Sequence, residues 1–189
     1  MKRLLLHSCC GPCSTAVLER LLNETDYYID VYYYNPNIYP DEEYTHRKNE
    51  QIKYIKLLNN ERVSFIDADY NPKDYYDAIK GNEVGSEGGP RCYYCFKLRL
   101  TKTAEYAKNH KYDIFGTTLT VSPHKNAQVI NALGEEISKD QVISFLVADF
   151  KKKDGFKRSI ILSKTYDLYR QDYCGCIYSK DFSNKLLIK

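Results

Sequence analysis

The sequence has no tryptophan, one methionine, nine glycines and six prolines. That is too little glycine and proline for a collagen-like or low-complexity chain. No apolar run approaches the ~20 residues that a membrane helix requires. The apolar start, Leu4-Leu5-Leu6, is interrupted at once by His7 and Ser8 and is too short for a secretory signal. A cytoplasmic protein without a membrane partner is therefore expected. There is little excess of either charge: 28 Lys and Arg against 25 Asp and Glu give a net +3, which permits an anionic partner without requiring one. Flavin and nicotinamide fingerprints are missing, so any electron donor is a separate, unidentified molecule. What remains is 189 residues, ample for a sizeable core, with 19 tyrosines and seven cysteines.

Apolar periodicity alternates between strand and helix almost throughout. Strands are expected over 2–8, 27–34, 63–68 and 112–118, and the run 142–149 reads as a strand or equally as a buried helix segment. Helices are expected over 14–22, 40–59, 72–80, 96–110, 127–138 and 163–173. The stretch 81–90 holds four glycines and reads as a loop delivering Arg91-Cys92-Tyr93-Tyr94-Cys95. This alternation implies an α/β fold, a parallel sheet with helices on both faces. Ligands of such sheets bind beyond the carboxyl ends of the strands, and Cys9 and Cys10 follow the first strand directly. Residues 1–189 are read as a single α/β domain. Its Cys-containing C-terminal segment, about 163–189, folds back onto a metal site at that carboxyl edge.

The cysteines fall in three groups: Cys9, Cys10 and Cys13; Cys92 and Cys95; Cys174 and Cys176. A reducing cytosol disfavours structural disulfides, and an odd count fits full pairing badly. Buried thiols that serve only as small hydrophobes would be scattered through core segments. The C-x-x-C pair alone suits a zinc knuckle, a redox pair or an iron–sulfur cluster. Adjacent Cys9 and Cys10 point different ways and suit a cluster or multi-metal centre better than one zinc ion. Cys174-Gly175-Cys176 is either a metal-ligating pair or an easily reduced disulfide that passes electrons.

Three segments carry a resemblance. His7-Ser8-Cys9-Cys10-Gly11-Pro12-Cys13, Gly89-Pro90-Arg91-Cys92-Tyr93-Tyr94-Cys95-Phe96 and Tyr173-Cys174-Gly175-Cys176-Ile177-Tyr178-Ser179 resemble the QueH-type epoxyqueuosine reductases. Arg91 and the run Lys97-Leu98-Arg99-Leu100 extend the match, which covers essentially the full chain. The resemblance implies an iron–sulfur, cobalamin-independent oxidoreductase that reduces epoxyqueuosine in the anticodon loop of tRNA to queuosine. It implies a 4Fe–4S cluster held by Cys9, Cys10, Cys92 and Cys95. Cys174 and Cys176 then act as a redox-active pair or as ligands of one additional iron, with Cys13 left to join them. All seven cysteines are thus metal candidates. The implied architecture resembles the nucleotide-binding (HUP) α/β folds, but cysteines stand where a Gly-rich phosphate loop would be, so ATP use is not indicated.

Removing an epoxide oxygen consumes two electrons and two protons, and a 4Fe–4S cluster passes one electron at a time. The second thiol site answers that stoichiometry. Candidate proton donors by sequence proximity are Tyr173, Tyr178, His7 and Asp172. Lys151, Lys152, Lys153, Lys157 and Arg158 form the densest basic run, a candidate phosphate contact, and His124-Lys125-Asn126 a candidate substrate-edge element. Two other readings stay open: a thiol or iron–sulfur electron carrier without an RNA substrate, and a zinc-stabilised RNA-binding module.

Overall fold

The computed structural model describes residues 1–180. The expected C-terminal segment therefore lies partly, over 181–189, outside the described residues. Five parallel strands, β1 (Arg3–His7), β2 (Tyr28–Tyr33), β3 (Val63–Asp67), β4 (Ile114–Thr117) and β5 (Ser144–Phe145), form one sheet in the order β3-β2-β1-β4-β5. Six helices surround it: α1 (Gly11–Glu24), α2 (Asp41–Leu58), α3 (Pro72–Ile79), α4 (Pro90–Asn109), α5 (Ala127–Gln141) and α6 (Gly155–Thr165).

Side chains on β1 alternate between the two faces, and both faces are buried. Leu4 and Leu6 pack with Val17, Leu18 and Leu21 of α1 and with Tyr54 of α2. Leu5 packs on the other side with Leu100 and Ala104 of α4 and with Ile130 and Leu133 of α5. The α/β expectation is thereby met. No helix among the described residues is long and apolar enough to cross a membrane.

The three boundaries that differ most from the sequence reading do so for local reasons. Helix α4 begins at Pro90 rather than at Phe96, because Gly89 is its N-cap and Pro90 takes the first turn, where a missing N–H costs nothing. The final strand shrinks to two residues. Val142 is spent as the left-handed C-cap of α5 (φ 55°), and the Asn131 side chain bonds the backbone of Ala148. The helix expected over 163–173 is instead α6, ending at Thr165. Asp167 adopts φ 48°, and the Leu168 N–H returns to the Ser163 carbonyl, a Schellman stop. The chain after it reverses, and Arg170 ties it to Ser159 and Ser163 of α6.

Candidate metal centre

Strand order reverses between β1 and β4, which opens a crevice at their carboxyl ends. His7 and Thr117 end the two strands and face each other in register. The chain leaves β1 into Cys9 and Cys10, then turns at once into α1. Cys10 is the N-cap of α1 and Cys13 lies three residues on, so both sulfurs sit over the first turn. Gly11 is required there: a Cβ would lie 2.9 Å from the Glu50 carbonyl oxygen of α2. Cys92 and Cys95 occupy the corresponding opening turns of α4. Two positive helix ends thus carry cysteine sulfurs.

The sulfurs of Cys9, Cys10 and Cys13 all lie within 4.8 Å of one another. Cys92 packs in the same core cluster as Cys9 and Cys10, whereas Cys95 packs with Cys176, Tyr75 and Ile79. All seven cysteines are free thiols. A cavity of about 360 Å³ is lined by Cys9, Cys13 and Cys174, by Lys125 and His124 from beyond β4, and by Gln171, Asp172 and Tyr173. The sequence reading left Cys13 outside the cluster; its sulfur stands beside Cys9 and Cys10, at the cavity wall.

The surroundings suit thiolates. Gln171 Nε2 lies 2.9 Å from Cys10 Sγ, the Gly88 N–H 3.3 Å from Cys92 Sγ, and Arg99 Nη1 3.9 Å from Cys95 Sγ. Donors aimed at sulfur are the second layer that sulfur-ligated metals and clusters use. Hydrogen bonds from Cys10 and Cys13 hold the Cys9 thiol well below its ordinary range, against burial and with help from Lys125 and Arg99. Burial pushes Cys10 and Cys95 up to about 12. Burial also works against the charge on Lys125, but the thiols of Cys174, Cys9 and Cys13 outweigh it and raise the ammonium above its usual value. Buried thiols that would stay protonated alone, ringed by cations and N–H donors, fit a metal or cluster that takes them as thiolates.

The structure separates the four proton-donor candidates. His7 is fully buried, with Nδ1 3.0 Å from Thr117 Oγ1 and Nε2 3.1 Å from the Tyr34 carbonyl. Burial and the neighbouring Arg99 lower its pKa to about 3, so it is a neutral strut between strands. Tyr178 lies under the Arg91 guanidinium, 4.8 Å away, and does not line the cavity. Tyr173 reaches the cavity wall, but its hydroxyl donates to the Tyr39 carbonyl at 2.6 Å and burial pushes its pKa up to about 12. Asp172 lines the cavity and is exposed. The basic run is largely committed elsewhere. Lys151 bonds the Thr120 and Lys125 carbonyls, while Lys153, Lys157 and Arg158 pair with Glu24, Asp154 and Glu19.

Two residues of this site escaped the sequence reading. Arg47, 1% exposed in α2, donates to the carbonyls of Cys174 and Tyr173 and pairs with Glu43 at 2.6 Å. Gln171 carries the contact to Cys10. Neither stands in a motif; the available signal was only an arginine within the helical pattern of α2. Gly175, at φ 124°, brings Cys174 and Cys176 against Arg47 and Ile38, where a Cβ would meet both at 3.1 Å. Gly175→Ala is expected to cost about 1–3 kcal/mol in thermal or urea unfolding and to lower retained iron. An unchanged midpoint with full iron would show that the turn tolerates a side chain.

Fold and site together define an α/β protein with a group of three close cysteine sulfurs, able to hold a metal, at the topological switch point of its sheet. The family model described as "Epoxyqueuosine reductase QueH" matches residues 4–181. An epoxyqueuosine reductase QueH from Streptococcus pyogenes serotype M1 is 43% identical over 179 residues, covering 93% of this chain and 69% of the relative. The Staphylococcus aureus (strain Mu50) protein of that name is 42% identical, covering 94% and 75%. The Thermotoga maritima one is 32% identical, covering 95% and 91%. A subunit described as belonging to a tRNA methyltransferase of Methanocaldococcus jannaschii shares the fold, with TM-score 0.54 and 15% identity over 86% of this chain and 76% of its own. The chain belongs to the QueH family of epoxyqueuosine reductases.

Proposed function

We propose that this protein reduces epoxyqueuosine in tRNA to queuosine, the last step of queuosine biosynthesis. The observation that carries the reading is the cavity in which Cys9, Cys13 and Cys174 stand beside Lys125 and Asp172, in a chain of this family. About 360 Å³ is within the range of small-molecule sites and suits one extruded nucleoside. In the reaction two C–O bonds of the epoxide break and a C=C bond forms. Two electrons and two protons enter, and the oxygen leaves as water.

Cys9, Cys10, Cys92 and Cys95 would hold a 4Fe–4S cluster; Cys174 and Cys176, with Cys13, would form the redox-active pair or bind an additional iron. When bound, the cluster supplies electrons singly from an external donor, so a two-electron reduction draws on the second thiol site as well. Lys125 puts a fixed positive charge in the cavity, where the departing oxygen gains negative charge. Asp172 and Glu87 are the carboxyls that line the cavity, where one of them would deliver the proton. Gln171, Gly88 and Arg99 orient the sulfurs through the contacts above.

The test is anaerobically reconstituted protein with a chemical reductant and epoxyqueuosine-containing tRNA, followed by nucleoside mass spectrometry. The expected product is lighter by one oxygen atom. Unchanged tRNA with fully iron-loaded protein and excess reductant overturns the reading. A colourless protein holding stoichiometric zinc does so equally.

A further inference from the structure

We propose that Tyr39 and Tyr76, with Lys180 beside Tyr39, form a stacking platform for unpaired anticodon-loop nucleotides flanking the nucleoside in the cavity. The inference rests on the tRNA reading above and adds where the RNA is gripped.

Tyr39 and Tyr76 are 42% and 40% exposed. Both are nevertheless held in place. The Tyr39 N–H donates to the Gly175 carbonyl at 2.8 Å, and the Tyr39 carbonyl accepts the Tyr173 hydroxyl. Tyr76 packs on the ring of Tyr75, centroids 5.5 Å apart, and Tyr75 is buried with Cys95 and Cys176. The Tyr39 backbone and the Tyr76 ring are therefore both anchored to the Cys174-Gly175-Cys176 turn, and burial, with the nearby Tyr178 and Tyr39 phenols, raises the Tyr76 hydroxyl above its usual pKa. Tyr173, which lines the cavity, links the platform to it.

A cation borders the same surface. Lys180 Nζ lies 5.9 Å from the ring centroids of both Tyr39 and Tyr173. Among the described residues it pairs with no carboxylate, in contrast to Lys151, Lys153, Lys157 and Arg158. Aromatic faces beside an uncommitted positive charge match single-stranded RNA: bases stack on the rings and a phosphate meets the cation. Rings already fixed in place lose little freedom on binding.

The experiment measures binding of an unmodified synthetic anticodon stem-loop RNA by fluorescence anisotropy, with iron content measured on the same preparations. Tyr39→Ala and Tyr76→Ala are each expected to weaken binding about tenfold. Tyr39→Phe and Tyr76→Phe should bind within about twofold of wild type, because stacking needs the ring and not the hydroxyl. Tyr28→Ala is the control: equally exposed, it starts β2 at the opposite, amino edge of the sheet. Should Tyr39→Ala lose iron through its tie to Gly175, Tyr76→Ala decides. Wild-type affinity in that variant overturns the platform, and slower turnover at saturating RNA would then assign this face to the electron donor. A wild-type protein that neither binds nor reduces tRNA removes the functional reading itself, a result distinct from variants that bind and turn over normally.

Discussion

Exchange of Cys92 or Cys95 for serine is expected to leave a folded protein that has lost most of its iron and more than about 100-fold of its activity. The two positions differ in what holds them. Cys92 opens α4 under the Gly88 N–H and packs with Cys9 and Cys10. Cys95 sits one turn deeper, against Arg99 and Cys176. A serine hydroxyl fits either space, so the loss is one of ligation and not of packing. Arg99 is the contrasting case: 1% exposed, it also donates to Asn35 Oδ1 at 2.8 Å, and its removal would strand several buried polar groups. Its substitution should therefore lower stability and iron content together. Iron and sulfide analysis alongside circular dichroism separates the two behaviours. Full iron and sulfide in both serine variants would remove Cys92 and Cys95 from the cluster and leave the close Cys9, Cys10 and Cys13 group as the metal site.

Much of this site could be read from the sequence because its chemistry is local. The β1–α1 junction is a strand pattern followed by cysteines and a helix-starting proline, and chain order alone puts it at the carboxyl edge. Parallel pairing of β1 with β4 was not readable, yet it is what sets Lys125 beside Cys9 and Cys13. The α4 start was misplaced because three glycines at positive φ, Gly81, Gly85 and Gly88, drew attention away from the Gly-Pro pair that begins the helix. His7 shows the other limit. Its sequence position beside the cysteines suggests a proton donor, but burial and Arg99 together keep it neutral. Arg47 needed the tertiary structure, since its partners Tyr173 and Cys174 lie more than a hundred residues away.

Cys174 and Cys176 are expected to diverge when each is changed to serine, although one glycine separates them. Cys174 is half-buried and lines the cavity with Cys9 and Cys13. Cys176 is turned inward, 6% exposed, beside Cys95 and with its sulfur 3.5 Å from Ser179 Oγ. If they form the second redox or iron site, either serine variant should keep the 4Fe–4S spectrum while turnover of epoxyqueuosine-containing tRNA stops, because only one of the two electrons remains deliverable. Their positions add an asymmetry. Cys174→Ser changes the wall that the nucleoside meets, so it should also alter binding of the substrate tRNA. Cys176→Ser should leave that affinity unchanged and act on turnover alone. Cluster spectroscopy, RNA affinity and product analysis on the same preparations read all three quantities. Loss of the whole cluster in either variant would make that cysteine a primary ligand. Wild-type turnover in both would remove Cys174 and Cys176 from the mechanism and leave Cys13 as the one thiol outside the four assigned to the cluster.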